Sequence, residues 1–523
     1  MWLYTDIKSL GDIPRYHAKT QPDHTALIGA GRRVSYQALN DTASQIAHLL
    51  QQQGVPVGAH VGFLGKNSIE YFEVLFGTSK AGCALLPLNW RLSPVELQSI
   101  INDAELELVF VDREYRDLLD QLCQSSQKKF QMVEFDSTTT APTPLREQLD
   151  RLPTTDLQRP IEPNATALLM YTSGTTGKPK GVQITHDGLN HLRLCEHLEP
   201  AYQWQPNDIM MFVMPNFHLV GTGLSIQGLY NGVTLSILPT ADMAQLLATI
   251  QRDRPTICCL VPTAIQMLLD HPDAAKTDFS SLRLVMYAGS AIGMKLLKRA
   301  LAEMKCQFMQ FYGSTEAAGQ STLLRPEQHD LTDETKLKSC GTPLPLMEIR
   351  IVDESNQPVP DGSIGEFQLR SPSMFKGYWK QPETTAAAMC DGWYRSGDAG
   401  YRDADGLYYI VDRVKDMIIS GGENIYSTEV EQALLRHPQV SQVAVIGLPD
   451  EHWGERVTAV VVPTAQHSVT PEELVAHCRT LIAGYKVPKT ILFRDALPMT
   501  PSGKVLKTAL RTQCAPTTPS EPR

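Results

Sequence analysis

Through the first part of the chain, short apolar runs alternate with stretches whose apolar residues recur at helical spacing. Leu39, Ala43, Ile46, Ala47 and Leu50 follow the 3.6-residue period, Ser35 stands where an N-cap is needed, and Gly54 provides a stop. The run HVGFLG follows as a short strand. Asn67 and Glu70 have capping-box spacing ahead of a second helix, and CALLPL reads as the next buried strand. Ser93, Pro94 and Glu96 start a third helix, and LELVFVD supplies a third strand. Helices alternating with short apolar strands predict βαβ units and a largely parallel sheet.

The pattern lapses between Ser137 and Thr166, a polar, proline-rich stretch that reads as a surface connection. The strand ATALLM then runs straight into a loop dense in Gly, Thr and Lys. Near Asp412 to Tyr426 the character changes again, to charged residues followed by a Gly-Gly pair. Beyond it Thr428 and Glu431 cap a helix, VAVIGL and VTAVVVP read as strands, and Thr470, Pro471 and Glu473 start another helix. That final stretch suits a second, smaller domain, so the expected division is 1–413 and 414–523. The tail TQCAPTTPSEPR is expected to be disordered. The expected fold class is α/β, a large N-terminal domain of mostly parallel sheets flanked by helices plus a small α+β C-terminal domain.

Composition narrows the function classes. A chain of 523 residues exceeds what one hydrophobic core supports, and 42% hydrophobic with 20% charged residues is ordinary for a globular protein. The net charge of −10 offers no general attraction to nucleic acid or anionic lipid, so an anionic ligand needs a local cluster of positive groups. Ten cysteines without a C-x-x-C pair suit a reducing compartment, and the adjacent Cys258 and Cys259 read as small core residues. Asp6, Lys8 and Asp12 interrupt the place of a signal peptide, and no segment has the ~20 apolar residues that span a bilayer. A cytoplasmic protein without integral membrane association is the expectation. His191 and Cys195 have i, i+4 spacing beside His186 and His197, but the group matches no zinc pattern.

The run Tyr171-Thr172-Ser173-Gly174-Thr175-Thr176-Gly177-Lys178-Pro179-Lys180-Gly181 has the chemistry of a polyphosphate loop. Its glycines permit close backbone approach, its hydroxyls and amides donate hydrogen bonds, and its lysines add charge. It differs from a Walker A loop, which has four residues between its glycines and Ser or Thr after the lysine.

This loop resembles the signature of the adenylate-forming superfamily of acyl-CoA synthetases, luciferase and peptide-synthetase adenylation domains. Four further segments resemble that family in order along the chain. Gln310-Phe311-Tyr312-Gly313-Ser314-Thr315-Glu316 is similar to its adenine and magnesium motif, and Ser396-Gly397-Asp398 to its ribose motif. Asp412-Arg413-Val414-Lys415-Asp416 resembles the hinge, followed by Ser420-Gly421-Gly422-Glu423-Asn424. Pro498-Met499-Thr500-Pro501-Ser502-Gly503-Lys504 resembles the catalytic-lysine loop.

The resemblance implies a role for each position. ATP and AMP would be held by Thr172, Ser173, Gly174, Thr175, Thr176, Gly177 and Lys178, with Gly289, Ser290 and Ala291 lining the adenine site opposite Tyr312. Gln310, Phe311, Gly313 and Ser314 complete that motif; Thr315 would bond the α-phosphate and Glu316 would ligate Mg²⁺. Asp398 would accept the ribose hydroxyls, with Arg413 donating to the same sugar. Lys504 would stabilise the charge that builds when a carboxylate attacks the α-phosphate. Lys415 would be the hinge of a mobile C-terminal domain, whose rotation withdraws Lys504 and presents Gly421 and Gly422 to a thiol channel.

Pro215-Asn216-Phe217-His218-Leu219-Val220-Gly221 resembles the acid-pocket segment of acyl- and aryl-CoA synthetases, with Asn216 in place of an apolar residue. Phe217, His218, Val220, Gly289 and Gly313 are the expected acid-pocket residues, His218 also a catalytic candidate. His218 supplies no anion for a substrate ammonium, so an amino acid is not expected. No carrier-protein segment follows Lys504, and Gly484-Tyr485-Lys486-Val487-Pro488-Lys489 is similar to the basic segment near the coenzyme A entrance. The expected protein is an ATP-dependent, Mg²⁺-requiring acid–CoA ligase acting on a fatty or other hydrophobic acid. An aryl-acid ligase or a loader of a separate acyl carrier protein is the alternative. The specific acid and the oligomeric state, a homodimer included, stay open.

Overall fold

The computed structural model describes residues 5–141, 143–172, 179–289, 292–413, 416–420, 423–450, 453–464, 469–499 and 505–514, with the side chains of Arg413, Glu423 and Asn424 left aside. The chain divides into two compact units, 1–349 with 369–394, and 350–368 with 395–523.

Two sheets organise the larger unit among the described residues. In the nine-stranded sheet, Thr25–Gly29, Thr234–Ile237, Ile209–Phe212, Ile257–Leu260, Leu284–Tyr287 and Gln307–Ser314 lie side by side and parallel. Gly319–Leu324 and Thr342–Pro343 extend one edge antiparallel, and Arg32–Ser35 extends the other. In the seven-stranded sheet, Thr166–Thr172, Ala84–Pro87, His60–Leu64, Leu108–Asp112 and Gln131–Phe135 are parallel, with Lys180–Thr185 and Gly377–Tyr378 antiparallel at the edge.

These strands are apolar on both faces because each sheet is covered on both sides. Phe63 and Leu85 turn into a large core shared with the helices Tyr36–Gln52, Ile69–Lys80 and Leu219–Tyr230, whereas their neighbours Leu64 and Leu86 turn into a second core under Leu97, Ile101 and Leu119. The adjacent Cys259 and Cys258 divide in the same way, the first into the large core and the second into one with Leu246, Leu268 and Leu297. Both thiols are buried, as their apolar run predicts.

The smaller unit pairs Trp393–Arg402 antiparallel with Tyr408–Arg413, then builds a sheet ordered Glu423–Ile425, Ile418–Ser420, Gly454–Pro463, Val440–Asp450, with Thr490–Phe493 parallel to Gly454–Pro463. Mixed α/β order with parallel sheets first and antiparallel strands last is the class the sequence predicts. No helix of the described residues is long and apolar enough to cross a membrane.

Four local readings need correction. The second helix is capped by Ser68, whose hydroxyl accepts from Tyr71 N at 3.3 Å; Asn67 instead donates to the carbonyls of Met214 and Leu238. The helix Ser427–Leu435 has no capping pair from Thr428 and Glu431, because Glu431 Oε1 accepts from Val445 N at 2.8 Å inside the domain. The stretch expected as a plain surface connection contains the helix Pro144–Leu149, which buries Leu145 and Leu149 in the large core. The helix Lys507–Cys514 includes the first three residues of the tail, since Leu510 is buried and Arg511 pairs with Asp416. By contrast, Ser93 with Glu96 and Thr470 with Glu473 form complete capping boxes.

Candidate functional site

Ligands of open α/β sheets bind beyond the carboxyl ends of the parallel strands, and the motif residues of the larger unit collect there. The strand Thr166–Thr172 ends where the Gly-Thr-Lys loop begins, and Lys180–Thr185 returns antiparallel beside it. Thr172 sits opposite Lys180 and Tyr171 opposite Gly181, so both ends of the loop are fixed in one ladder. A strand therefore follows the loop, and the helix His186–Leu198 begins only after it. Ser173, Gly174, Thr175, Thr176, Gly177 and Lys178 lie outside the described residues.

On the nine-stranded sheet, Tyr287 is the register partner of Gln310, which brings the segment after Tyr287 beside Phe311 to Glu316. Gly289 has φ +88°, in the region that favours glycine, directly after that strand; Ser290 and Ala291 lie outside the described residues. Phe311 is buried in the large core while Gln310 and Tyr312 alternate to the opposite face and are partly exposed. A Cβ on Gly313 would stand 1.8 Å from the carbonyl oxygen of Gly319, so glycine is required for the tight return after Thr315 and Glu316. Ser314 Oγ steadies that return by accepting from Ala317 N at 3.2 Å.

Glu316 is joined to the loop strand through a residue that sequence reasoning missed. Tyr378 donates its hydroxyl to Glu316 Oε1 at 2.9 Å, and Lys180 Nζ stands 4.9 Å from the centroid of the same ring. Burial and the neighbouring carboxylate push the Tyr378 hydroxyl well above its ordinary pKa, so it remains a donor. Backbone bonds hold this arrangement: Phe375 N to Glu316 O at 2.7 Å and Trp379 N to Gly181 O at 2.7 Å. The run Gly377-Tyr378-Trp379 between charged residues was the available signal; an aromatic pair after glycine resembles an ordinary turn.

The acid-pocket segment leaves the strand Ile209–Phe212 on the same edge. Phe217 is buried, with its ring 4.7 Å from that of His218 and 6.2 Å from that of Trp90, both edge-on. His218 is the N-cap of Leu219–Tyr230, and Val220 packs partly buried against the large core. A Cβ on Gly221 would be 2.4 Å from Pro215 O, which is why the helix can start so close to the preceding turn. Asn216 is fully buried, and its Nδ2 donates to the carbonyls of Gly65 at 3.1 Å and Lys66 at 3.3 Å. Its backbone N donates to Asn67 Oδ1 at 2.9 Å, so two asparagines tie the exits of the two sheets together. The substitution of an apolar residue by Asn216 is thus a structural tie.

In the smaller unit Asp398 is buried and lies directly opposite Arg413 in the antiparallel ladder. Gly397, at φ +70°, and the bond from Asp398 N to Ser396 Oγ at 3.0 Å set the carboxylate's place on the strand. Lys415, Gly421, Gly422 and Lys504 lie outside the described residues. Lys486 bonds both oxygens of Glu429 at 2.8 Å, whereas Lys489 stands 5.0 Å over the Trp453 ring. Two of the histidines near the loop have backbone partners: His186 Nδ1 accepts from Leu10 N at 3.3 Å, and His191 Nδ1 bonds Asp187 O at 2.9 Å.

Comparison with known proteins covers nearly the whole chain. A family profile described as AMP-binding enzyme matches residues 15–379, and one described as AMP-binding enzyme C-terminal domain matches 429–504. A feruloyl-CoA synthase of Amycolatopsis sp is 36% identical over 505 residues, 96% of this chain and 99% of the relative. A fatty acid–[acyl-carrier-protein] ligase, ScoC, of Streptomyces coeruleorubidus is 33% identical over 510 residues, 97% of either chain. The crystal structure of ATP-bound MatB from Rhodopseudomonas palustris superposes with a TM-score of 0.88 at 29% identity, covering 97% of this chain and 99% of that one. The chain belongs to the AMP-binding enzyme family and is an ATP-dependent, AMP-forming acid–CoA ligase.

Proposed function

We propose that this ligase activates a fatty or other hydrophobic carboxylic acid, and that the residues gathered at the strand ends perform the first half-reaction. The observation that carries the reading is the bridge from Lys180 through Tyr378 to Glu316, which ties the strand after the Gly-Thr-Lys segment to a carboxylate and so supports a hard oxygen ligand acting beside a phosphate-type loop. A carboxylate oxygen of the acid attacks the α-phosphorus of ATP; the bond to the bridging oxygen of the β-phosphate breaks, and pyrophosphate leaves. Thr315 bonds the α-phosphate, Tyr312 and Gly289 flank the adenine, and Asp398 with Arg413 holds the ribose. Lys504 stabilises the added negative charge, an effect worth about 3–4 kcal/mol for one well-aimed donor.

A single carboxylate, with no cluster of three His, Cys, Asp or Glu among the described residues, suits a Mg²⁺ that takes its other oxygens from phosphate and water. Bound there, the ion would neutralise phosphate charge; Glu316 would hold it and Tyr378 would orient Glu316. In the second half-reaction the thiolate of coenzyme A attacks the acyl carbon, the bond to the phosphate oxygen breaks, and AMP leaves. A pivot at Lys415, at the 413/414 boundary, would exchange Lys504 for Gly421 and Gly422 between the two steps. Lys489 beside Trp453 supports coenzyme A binding in the smaller unit better than the paired Lys486 does. The hydrophobic acid is supported by Phe217 packed on Trp90 and by the apolar start of the helix after His218.

The experiment is a mass-spectrometric panel of fatty and aryl acids, each incubated with ATP, Mg²⁺ and either coenzyme A or a carrier protein bearing phosphopantetheine. Acyl-CoA and AMP from hydrophobic acids support the reading. Thioester on the carrier alone would move the acceptor to that of the relative named for it, and preference for small polar acids would refute the hydrophobic pocket.

A further inference from the structure

The residues that flank the segment of Lys504 pair with each other, and the helix after it is tied to Asp412 and Asp416. Met499 and Val505 form an antiparallel bridge, and Leu506 N donates to Pro498 O at 2.8 Å. The helix Lys507–Cys514 begins at once. Lys507, three residues after Lys504, would ordinarily be a solvated lysine, yet its side chain is only 15% exposed. Its ammonium meets Glu431 Oε1 at 2.8 Å and donates to Ser427 Oγ. Ser427 Oγ donates onward to Asp412 Oδ2 at 2.6 Å, and Thr428 N reaches the same oxygen at 3.3 Å. One turn along the helix, Arg511 Nη2 donates to Asp416 Oδ1 at 2.9 Å.

The two acids that receive these bonds, Asp412 and Asp416, bracket residues 414–415. The chemistry favours a firm tie. Burial raises the Glu431 carboxyl, and the donors Lys507 and Val445 N act against that rise. Removing one partner from such a pair leaves the other charge buried and uncompensated.

We propose that Lys507 is a positioning residue for adenylate formation, acting through the relay Lys507–Ser427–Asp412 to fix the segment that carries Lys504 against the strand that leads into the hinge. Arg511 with Asp416 secures the same helix on the far side of residues 414–415. This inference rests on the reading that Lys504 serves the first half-reaction. Its consequence is selective: loosening the relay misplaces the ammonium of Lys504, and the second half-reaction, which does not use that ammonium, continues.

The test compares Lys507→Met, Lys507→Arg and Lys504→Ala in the full-length chain. It measures acid-dependent pyrophosphate exchange into ATP and, separately, thioester formation from prepared acyl-adenylate and coenzyme A. The acids are short-, medium- and long-chain fatty acids with ferulate and benzoate as aryl members. Lys507→Met is expected to cut exchange by about tenfold to a hundredfold, the scale of a 1 Å misplacement, and thioester formation by less than about threefold. Lys507→Arg, which can still donate to both partners, is expected to recover most of the exchange. Equal loss in both half-reactions for Lys507→Met, or no recovery by Lys507→Arg, would mark a merely structural lysine and overturn the proposal. If Lys504→Ala itself loses both half-reactions equally, the reading of Lys504 fails, and the positioning role falls with it.

Discussion

The hydroxyl of Tyr378 donates to Glu316 Oε1 across 2.9 Å, while the face of the same ring lies 4.9 Å from Lys180 Nζ. One aromatic side chain thus links the candidate metal ligand to the strand that follows the candidate phosphate loop. Tyr378→Phe keeps the ring and the fold but removes the orienting donor. Pyrophosphate exchange is expected to fall about tenfold, with a higher Mg²⁺ concentration needed for half-maximal rate, the usual cost of losing a group that orients a metal ligand. A Mg²⁺ titration of exchange in the variant checks this; an unchanged profile would separate Glu316 from the metal.

Gly313 has no room for a side chain, because a Cβ would lie 1.8 Å from Gly319 O. Gly313→Ala is therefore expected to displace the return that carries Thr315 and Glu316, and to reduce adenylation at least a hundredfold while the rest of the fold persists. Circular dichroism with exchange kinetics distinguishes this local effect from unfolding. Retention of more than a tenth of the activity would refute the tight return.

Asn216 is buried and donates to two carbonyls on the neighbouring sheet's exit. Asn216→Ala leaves the Gly65 and Lys66 carbonyls without that donor, a loss on the order of 1–3 kcal/mol. Chemical denaturation should show the loss. The KM for the acid should rise more than the KM for ATP, since the tie holds the segment of Phe217 and His218.

His17 and His186 are both buried, and burial lowers each pKa to about 4. An unfolded histidine takes up its proton near ~6.5, so between these values the unfolded chain binds more protons than the folded one. Their contribution to stability is fully present above about pH 6.5 and is lost as pH falls through 4. At ~1.4 kcal/mol per pKa unit, the fall from ~6.5 to about 4 gives each histidine roughly 3–4 kcal/mol of acid sensitivity. Denaturation midpoints measured from neutral to acid pH should fall, and His186→Gln should flatten the slope; an equally steep slope in that variant would contradict the assignment.

The βαβ order was legible because each parallel strand is buried on both faces and so reads as an unbroken apolar run, as Leu85 and Leu86 show by facing different cores. Caps were legible only where no tertiary partner competed. Ser93 and Thr470 cap as predicted, whereas Asn67 and Glu431 are drawn away by carbonyls and amides distant in the chain. Among the candidate residues, Glu316 and Gly313 in the larger unit and Asp398 in the smaller could be picked out because their motifs are local. Tyr378 could not, since its partner is 62 residues away and only the folded sheets bring the two together. The same holds for Lys507, whose relay crosses 80 residues to Ser427.

The most direct test of the account is acid-dependent exchange of labelled pyrophosphate into ATP, run in the absence of coenzyme A with the chain and its Lys504→Ala variant. Exchange that requires both the acid and Lys504, with AMP as the nucleotide product once coenzyme A is added, is the predicted result. Accumulation of ADP, or exchange of equal rate in the variant, would contradict an adenylate made with the help of Lys504.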